Sequence, residues 1–260
     1  MEMAVPIVAG AEPQRFDGGR TGMLLCHGLT ASPASLRPWA EYLAAAGLSV
    51  DVPLLPGHGT TWQELNTTRW PDWFSAVERA LLQLADRCDQ VLVGGLSMGG
   101  CLALRLAQTH GDVVKGLILV NPAIASADKR LLALPVLHRL VPSFPALSGD
   151  IAKPGQDEVA YARTPLRALH SLTVLWRLVI ADLPRVTQPL LIYRSDQDHV
   201  VDASSLRLIR AKVSSTDVTV VALRESCHVA TLDHDADTIF SGSLDMVRRL
   251  TRGTVVDGVA

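Results

Sequence analysis

Gly95-Leu96-Ser97-Met98-Gly99 constrains this chain more than any other stretch. The apolar run Gln90-Val91-Leu92-Val93-Gly94 leads into it, and Gly100-Cys101-Leu102-Ala103-Leu104-Arg105-Leu106-Ala107 leads away. The first run has the look of a strand and the second that of a helix. A Gly-x-Ser-x-Gly in that context is the sequence form of a nucleophile elbow, a turn so tight that the serine backbone is strained. The two glycines let neighbouring segments pass without a Cβ clash. The turn lifts the Ser97 hydroxyl clear of the sheet. The N-terminus of the following helix, with its free N–H groups, favours negative charge developing there.

The same alternation runs along the chain. Apolar strand-like runs at residues 22–26, 48–53, 90–93, 114–120, 189–193 and 218–223 are separated by helix-length segments, among them 35–46 and 70–85. Nearly continuous Val, Ile and Leu runs suit a parallel sheet covered on both faces, joined by right-handed crossovers. The expected fold class is therefore α/β, with a mostly parallel central sheet. Residues 123–178 break the rhythm: they show no convincing strand, hold Pro135, Pro142, Pro145, Pro154 and Pro165, and carry the apolar helical piece Leu131-Leu132-Ala133-Leu134. So long a stretch inside such a domain reads as an inserted cap. The expected division is a core of residues 1–122 and 179–260 with a cap at 123–178. Residues 253–260 read as a frayed tail.

Composition narrows the function classes. The 260 residues suit one domain, and a formal net charge of −2 offers no basic stripe for a phosphate backbone, so nucleic acid is not an expected partner. Cys26, Cys88, Cys101 and Cys227 are widely spaced, with no Cys-x-x-Cys, and read as small buried hydrophobes in a reducing compartment. The start, Met1-Glu2-Met3-Ala4-Val5-Pro6, lacks the basic and long apolar regions of a secretory signal, and no apolar run reaches a membrane span. The expectation is a soluble, cytoplasmic protein without stable membrane insertion, in which contact with a lipid surface would be transient and made by the cap. Composition does not decide the oligomeric state.

Serine attacks well only when a base takes its proton. Among eight histidines, His228 lies just after the last strand, at the sheet edge where strand C-termini gather and where Ser97 also sits. An acid must orient the imidazole. Asp196 and Asp198 follow the strand at 189–193 and precede His228, giving the order Ser, Asp, His. Asp198 is the choice; Asp196 is the runner-up and suits a turn cap, and His199 reads as structural. For the oxyanion, the expected donors are the backbone N–H groups of Met98 and Leu29, with His27 and His58 bracing the loops around them. Asp233-His234-Asp235-Ala236-Asp237 lacks the glycine and distal Glu of a calcium loop, so no metal site is expected, and no cofactor is needed.

Five stretches in order, His27-Gly28-Leu29-Thr30, Leu55-Pro56-Gly57-His58-Gly59, Gly94-Gly95-Leu96-Ser97-Met98-Gly99-Gly100, Asp196-Gln197-Asp198-His199-Val200-Val201 and His228-Val229-Ala230-Thr231-Leu232-Asp233, resemble the α/β-hydrolase superfamily. Within it the chain looks most like bacterial monoacylglycerol lipases and small carboxylesterases. The resemblance implies a triad of Ser97, Asp198 and His228, a small mobile cap, and a serine hydrolase that cleaves carboxylic esters through an acyl-enzyme. It favours monoacylglycerol as substrate, with a general carboxylesterase, a thioesterase or lactonase, and a non-catalytic ligand sensor as alternatives. Leu29 departs from the pattern, standing where many relatives carry an aromatic residue. Glu158, in the cap, is the candidate partner for a glycerol hydroxyl.

Overall fold

The computed structural model describes residues 5–252, so the tail expected at 253–260 lies outside the described residues. Six strands form the sheet that the apolar runs predict: β2 (Thr21–Cys26), β3 (Ser49–Val52), β4 (Gln90–Leu96), β5 (Val114–Val120), β8 (Leu190–Ser195) and β9 (Val218–Leu223). A seventh, β1 (Gln14–Phe16), pairs antiparallel with β3 at the edge; three residues are too few to show a period. The order is β1-β3-β2-β4-β5-β8-β9, and every pair except β1–β3 is parallel.

Alternation along the strands divides the core. Leu24, Val91, Val93, Leu117, Leu119 and Ile192 face one cluster. It holds residues of α3 (Trp70–Ala85), α4 (Met98–Thr109) and α6 (Leu166–Asp182), and Ile209 of α7 (Ser204–Lys212). Met23, Leu25, Leu92, Ile118, Val120 and Tyr193 face the other, against α1 (Arg37–Ala45) and α8 (Ala236–Thr251). Successive strand side chains point to opposite faces, so both faces must be apolar and both are covered.

Chain order fixes where a ligand can enter. From β2 the chain moves outward to β3, then returns to place β4 on the other side of β2. The order reverses between β2 and β4, and their paired C-terminal ends, Cys26 beside Gly95, border the crevice that such a reversal leaves.

Between β5 and β8 lie a 3-10 turn (Lys129–Ala133), α5 (Leu134–Leu140), β6 (Ser143–Pro145), β7 (Arg163–Pro165) and α6. β6 and β7 make a small antiparallel ribbon where no strand was expected; each ends in proline and spans three residues. The 123–178 boundary falls inside α6, whose Leu172, Leu175 and Val179 pack into the core. α6 is also tied to α4, where Arg105 pairs with Asp182 and Gln108 donates to the Val179 carbonyl at 2.9 Å. A short helix, α2 (Trp62–Leu65), precedes α3. No described helix is long and apolar enough to cross a membrane.

Candidate active site

Ser97 stands between β4 and α4 with φ 57° and ψ −118°, in the left-handed half of backbone space that non-glycine residues rarely adopt. The packing explains both flanking glycines. A Cβ on Gly95 would meet the Gly99 carbonyl at 2.3 Å, and one on Gly99 would meet the Cys26 oxygen at 1.8 Å. The turn is held by the Ser97 N–H, which donates to the Val120 carbonyl at 3.0 Å, and by the Ser97 carbonyl, which accepts from Ala123 at 3.0 Å.

Asp198 follows β8 and its carboxylate is fully buried. The Nδ1 of His228 lies 3.0 Å from both of its oxygens. The Val200 and Val201 N–H groups donate to Oδ1 at 2.9 and 2.8 Å, and Arg194 pairs with Oδ2. Burial alone would push this carboxyl up; the hydrogen bonds from His228 and Val201 and the charges of His228 and Arg194 outweigh it and hold the carboxyl below its ordinary range. Asp198 is therefore an anion that accepts from Nδ1–H, which leaves Nε2 as the free imidazole nitrogen. Asp196 is exposed, and its N–H donates to the Leu223 carbonyl at 2.9 Å.

His199 turns to Asp150, 2.8 Å from its Oδ1. Asp150 was not singled out by sequence, because it sits in the inserted segment with no motif around it. Its Oδ2 accepts the His228 N–H at 3.0 Å and the His199 N–H at 3.1 Å, and its carbonyl accepts Val229 N–H at 3.1 Å. Donor atoms of Asp150, His199 and Cys227 lie within 4.8 Å of one another, and those of Asp150 are already engaged in these bonds. Asp233 is buried and accepts four backbone N–H groups, from Ala152, Lys153, Cys227 and His234, each at 2.8 Å. Both carboxylates staple the inserted segment to the loop that carries His228.

Asn121 belongs to none of the sequence motifs. It sits at φ 44° at the end of β5, buried. Its Nδ2 donates to the His228 carbonyl at 2.8 Å and to Ser195 Oγ at 2.9 Å, and its Oδ1 accepts Ser195 N–H at 2.8 Å. Asparagine tolerates this backbone better than most residues and saturates its amide here.

The loop after β2 lies against the elbow: a Cβ on Gly28 would sit 3.7 Å from Ser97 Cβ. His27 uses both ring nitrogens to shape it, Nε2 accepting Leu55 N–H at 3.3 Å and Nδ1 donating to the Gly28 carbonyl at 3.0 Å. His58 Nε2 lies 2.7 Å from the Leu29 carbonyl. Burial keeps both rings neutral, pushing His58 down to about 4 and His27 well below its ordinary value. Both therefore brace the loop, as their place in the sequence predicts. Among the described residues the Leu29 and Met98 N–H groups have no acceptor.

Gly28, Leu29, Ser97, Glu158 and His228 line one cavity of about 820 Å³. Leu134 and Leu137 of α5 and Leu169, Leu172 and Trp176 of α6 make much of its wall apolar. Glu158 Oε2 accepts the Gly149 N–H at 3.1 Å, and burial raises its carboxyl pKa. Tyr161 ties the segment down opposite, its hydroxyl donating to the Gly57 carbonyl at 2.8 Å and its N–H to the Thr30 carbonyl at 2.9 Å.

A family model described as Serine aminopeptidase, S33 (Hydrolase_4) matches residues 19–235. The chain is similar to a thermostable monoacylglycerol lipase of Bacillus sp. (strain H-257), 40% identical over 250 residues, covering 94% of this chain and 97% of that one. It is 25% identical over 245 residues to a carboxylesterase of Bacillus subtilis (strain 168), covering 94% and 98%. Among solved structures it resembles one from work on LipS and LipT, two metagenome-derived lipolytic enzymes, with a TM-score of 0.91, 37% identity, and coverage of 94% of this chain and all of that one.

Proposed function

The chain belongs to the serine aminopeptidase S33 family of α/β hydrolases, and on that premise we propose that it is a carboxylic ester hydrolase acting on monoacylglycerol. The observation that carries this reading is the shared cavity. Ser97 and His228 open onto about 820 Å³ walled largely by apolar side chains, enough for an acyl chain, with Glu158 as a polar group on the same wall. The 40% identity to a monoacylglycerol lipase over nearly the whole chain supports the same substrate class.

In this mechanism His228 Nε2 takes the proton of Ser97 as Oγ attacks the acyl carbonyl. Asp198 holds the imidazole in the tautomer with Nδ1 protonated and stabilises the imidazolium that forms. The Leu29 and Met98 N–H groups receive the oxyanion, and the partial positive end of α4 adds to their field. His228 then protonates the leaving glycerol oxygen. Water, activated by the same imidazole, releases the fatty acid and restores Ser97. Residues 123–165, from the end of β5 to α6, act as the cap over the acyl chain, and Glu158 accepts a hydrogen bond from a glycerol hydroxyl. No cofactor takes part.

Hydrolysis of a monoacylglycerol chain-length series, beside a matched p-nitrophenyl ester, tests the reading. Wild type should turn over glycerol esters, and Ser97→Ala should lose about 10⁴-fold or more of that activity. Turnover of the activated ester alone would keep the triad and overturn the substrate. Thioesters and lactones are then the series to try.

A further inference from the structure

On the outer side of the cavity wall, α5 and α6 border a second, smaller and open pocket of about 300 Å³ with the turn before α3, in which Arg139 and Arg167 are exposed. Its lining is Arg69, His138, Arg139, Arg167 and His170, with no acidic residue. Among the described residues no carboxylate pairs with the three guanidiniums, although the chain as a whole carries more acidic than basic residues. Arg69 spends one nitrogen on the Asn66 and Thr68 carbonyls, at 3.0 and 2.7 Å. The two imidazoles stack at 4.2 Å with 14° between their planes, and the Nδ1 of His138 is buried with no partner.

Like charges gathered without a counter-charge repel one another, and a buried imidazole nitrogen without a partner is unfavourable. Both defects are relieved by one kind of occupant, an oxyanion with several acceptor oxygens. We propose that this pocket is a binding site for a phosphate group, gripped by Arg139 of α5, Arg167 of α6 and Arg69, with His138 and His170 beside it. Three guanidiniums suit a tetrahedral dianion better than a single carboxylate, which offers only two oxygens and one charge. Burial is the largest effect lowering both imidazole pKa values, and the surrounding arginines lower them further, the direction an uncompensated positive field produces.

The position gives the site a consequence. Leu137 and Leu169, each next in sequence to a lining histidine or its neighbour, point to the acyl cavity, while His138 and His170 point to this pocket. A phosphate held between Arg139 and Arg167 therefore clamps α5 onto α6 from behind the cavity wall. The phosphate belongs either to a soluble ester or to the headgroup of an anionic lipid. Val136 and Leu140, exposed on α5, are compatible with the second source. The site does not rest on the ester-hydrolase reading.

The test is calorimetric titration of the full chain with inorganic phosphate at constant ionic strength, against chloride. A parallel arm measures co-sedimentation with phosphatidylglycerol and with phosphatidylcholine vesicles. Saturable phosphate binding with a raised Tm is expected, weakened about tenfold or more in Arg139→Gln and in Arg167→Gln. p-Nitrophenyl ester hydrolysis should be retained in both variants, showing that they fold. Binding only to phosphatidylglycerol vesicles, lost in the same variants, would assign the headgroup as the source. Binding to neither ligand, or binding that both variants retain in full, overturns the proposal.

Discussion

The side-chain amide of Asn121 donates to the backbone carbonyl of His228 across 2.8 Å, although the two residues are 107 positions apart. The same amide group holds Ser195, at the end of β8, through two further bonds. Three separate stretches of chain, the ends of β5 and β8 and the loop after β9, are thus fixed by one buried side chain. Asn121→Ala should leave the His228 carbonyl and the Ser195 N–H without partners. The expected loss is ~2 kcal/mol of stability and a fall in kcat of up to about 100-fold with KM little changed. Chemical denaturation and steady-state kinetics read the two effects separately; an unchanged kcat would show that His228 is held well enough by Asp150 and Asp198.

Gly99 is a position where a single methyl group cannot fit. Its Cβ would lie 1.8 Å from the Cys26 carbonyl oxygen, an atom fixed by the sheet. Gly99→Ala should destabilise by more than about 4 kcal/mol, in the range kept for backbone collisions and core disruption. Gly149→Ala is a control: nothing lies within 4 Å there, so only the backbone strain at φ 70° remains, about 1 kcal/mol. Equal melting temperatures for the two variants would contradict the account of the elbow.

His58 makes stability depend on pH. Its folded value is about 4 against an unfolded 6.5, because burial disfavours the charged ring. Between those values the unfolded chain binds more protons than the folded one, so stability falls as pH drops from about 6.5 towards 4. The full effect is ~3 kcal/mol, from 2.5 pKa steps at about 1.36 kcal/mol each, and His27 acts in the same direction. Urea denaturation across this range should show the slope, and His58→Gln should flatten it.

Asp198→Asn should lower kcat by about 10⁴-fold with the fold intact, since an amide cannot fix the Nδ1-protonated tautomer or stabilise the imidazolium. Circular dichroism beside the kinetics checks that the loss is chemical. Asp196→Asn, at an exposed carboxylate, should leave kcat near wild type.

Glu158→Gln separates substrate recognition from chemistry. Under the proposed function it should raise KM for monoacylglycerol severalfold and leave kcat/KM for a p-nitrophenyl ester unchanged. Equal effects on both substrates would remove Glu158 from glycerol recognition.

The division between what was legible and what was not follows the range of the interactions. Periodicity and local turns wrote the six long strands, α3 at 70–85 and the elbow at Ser97 into consecutive residues, and chain order placed Ser, Asp and His after successive strands. All but the order of the triad are local signals, each confined to one element or one turn. β1, β6 and β7 span three residues apiece, shorter than any period can register. Asn121, Asp150 and Asp233 carry no local signature either. Their bonds close over separations such as 107, 78 and 81 positions, and only the folded chain brings the partners together. Sequence by itself determined the sheet, the elbow and the kinds of residue a serine nucleophile needs. Tertiary structure alone decided that Asp198 is buried as an anion against His228, that two carboxylates fasten the inserted segment beside it, and that five basic side chains meet behind the cavity wall. These are long-range electrostatic and packing choices, which depend on distances in space that spacing along the chain does not encode.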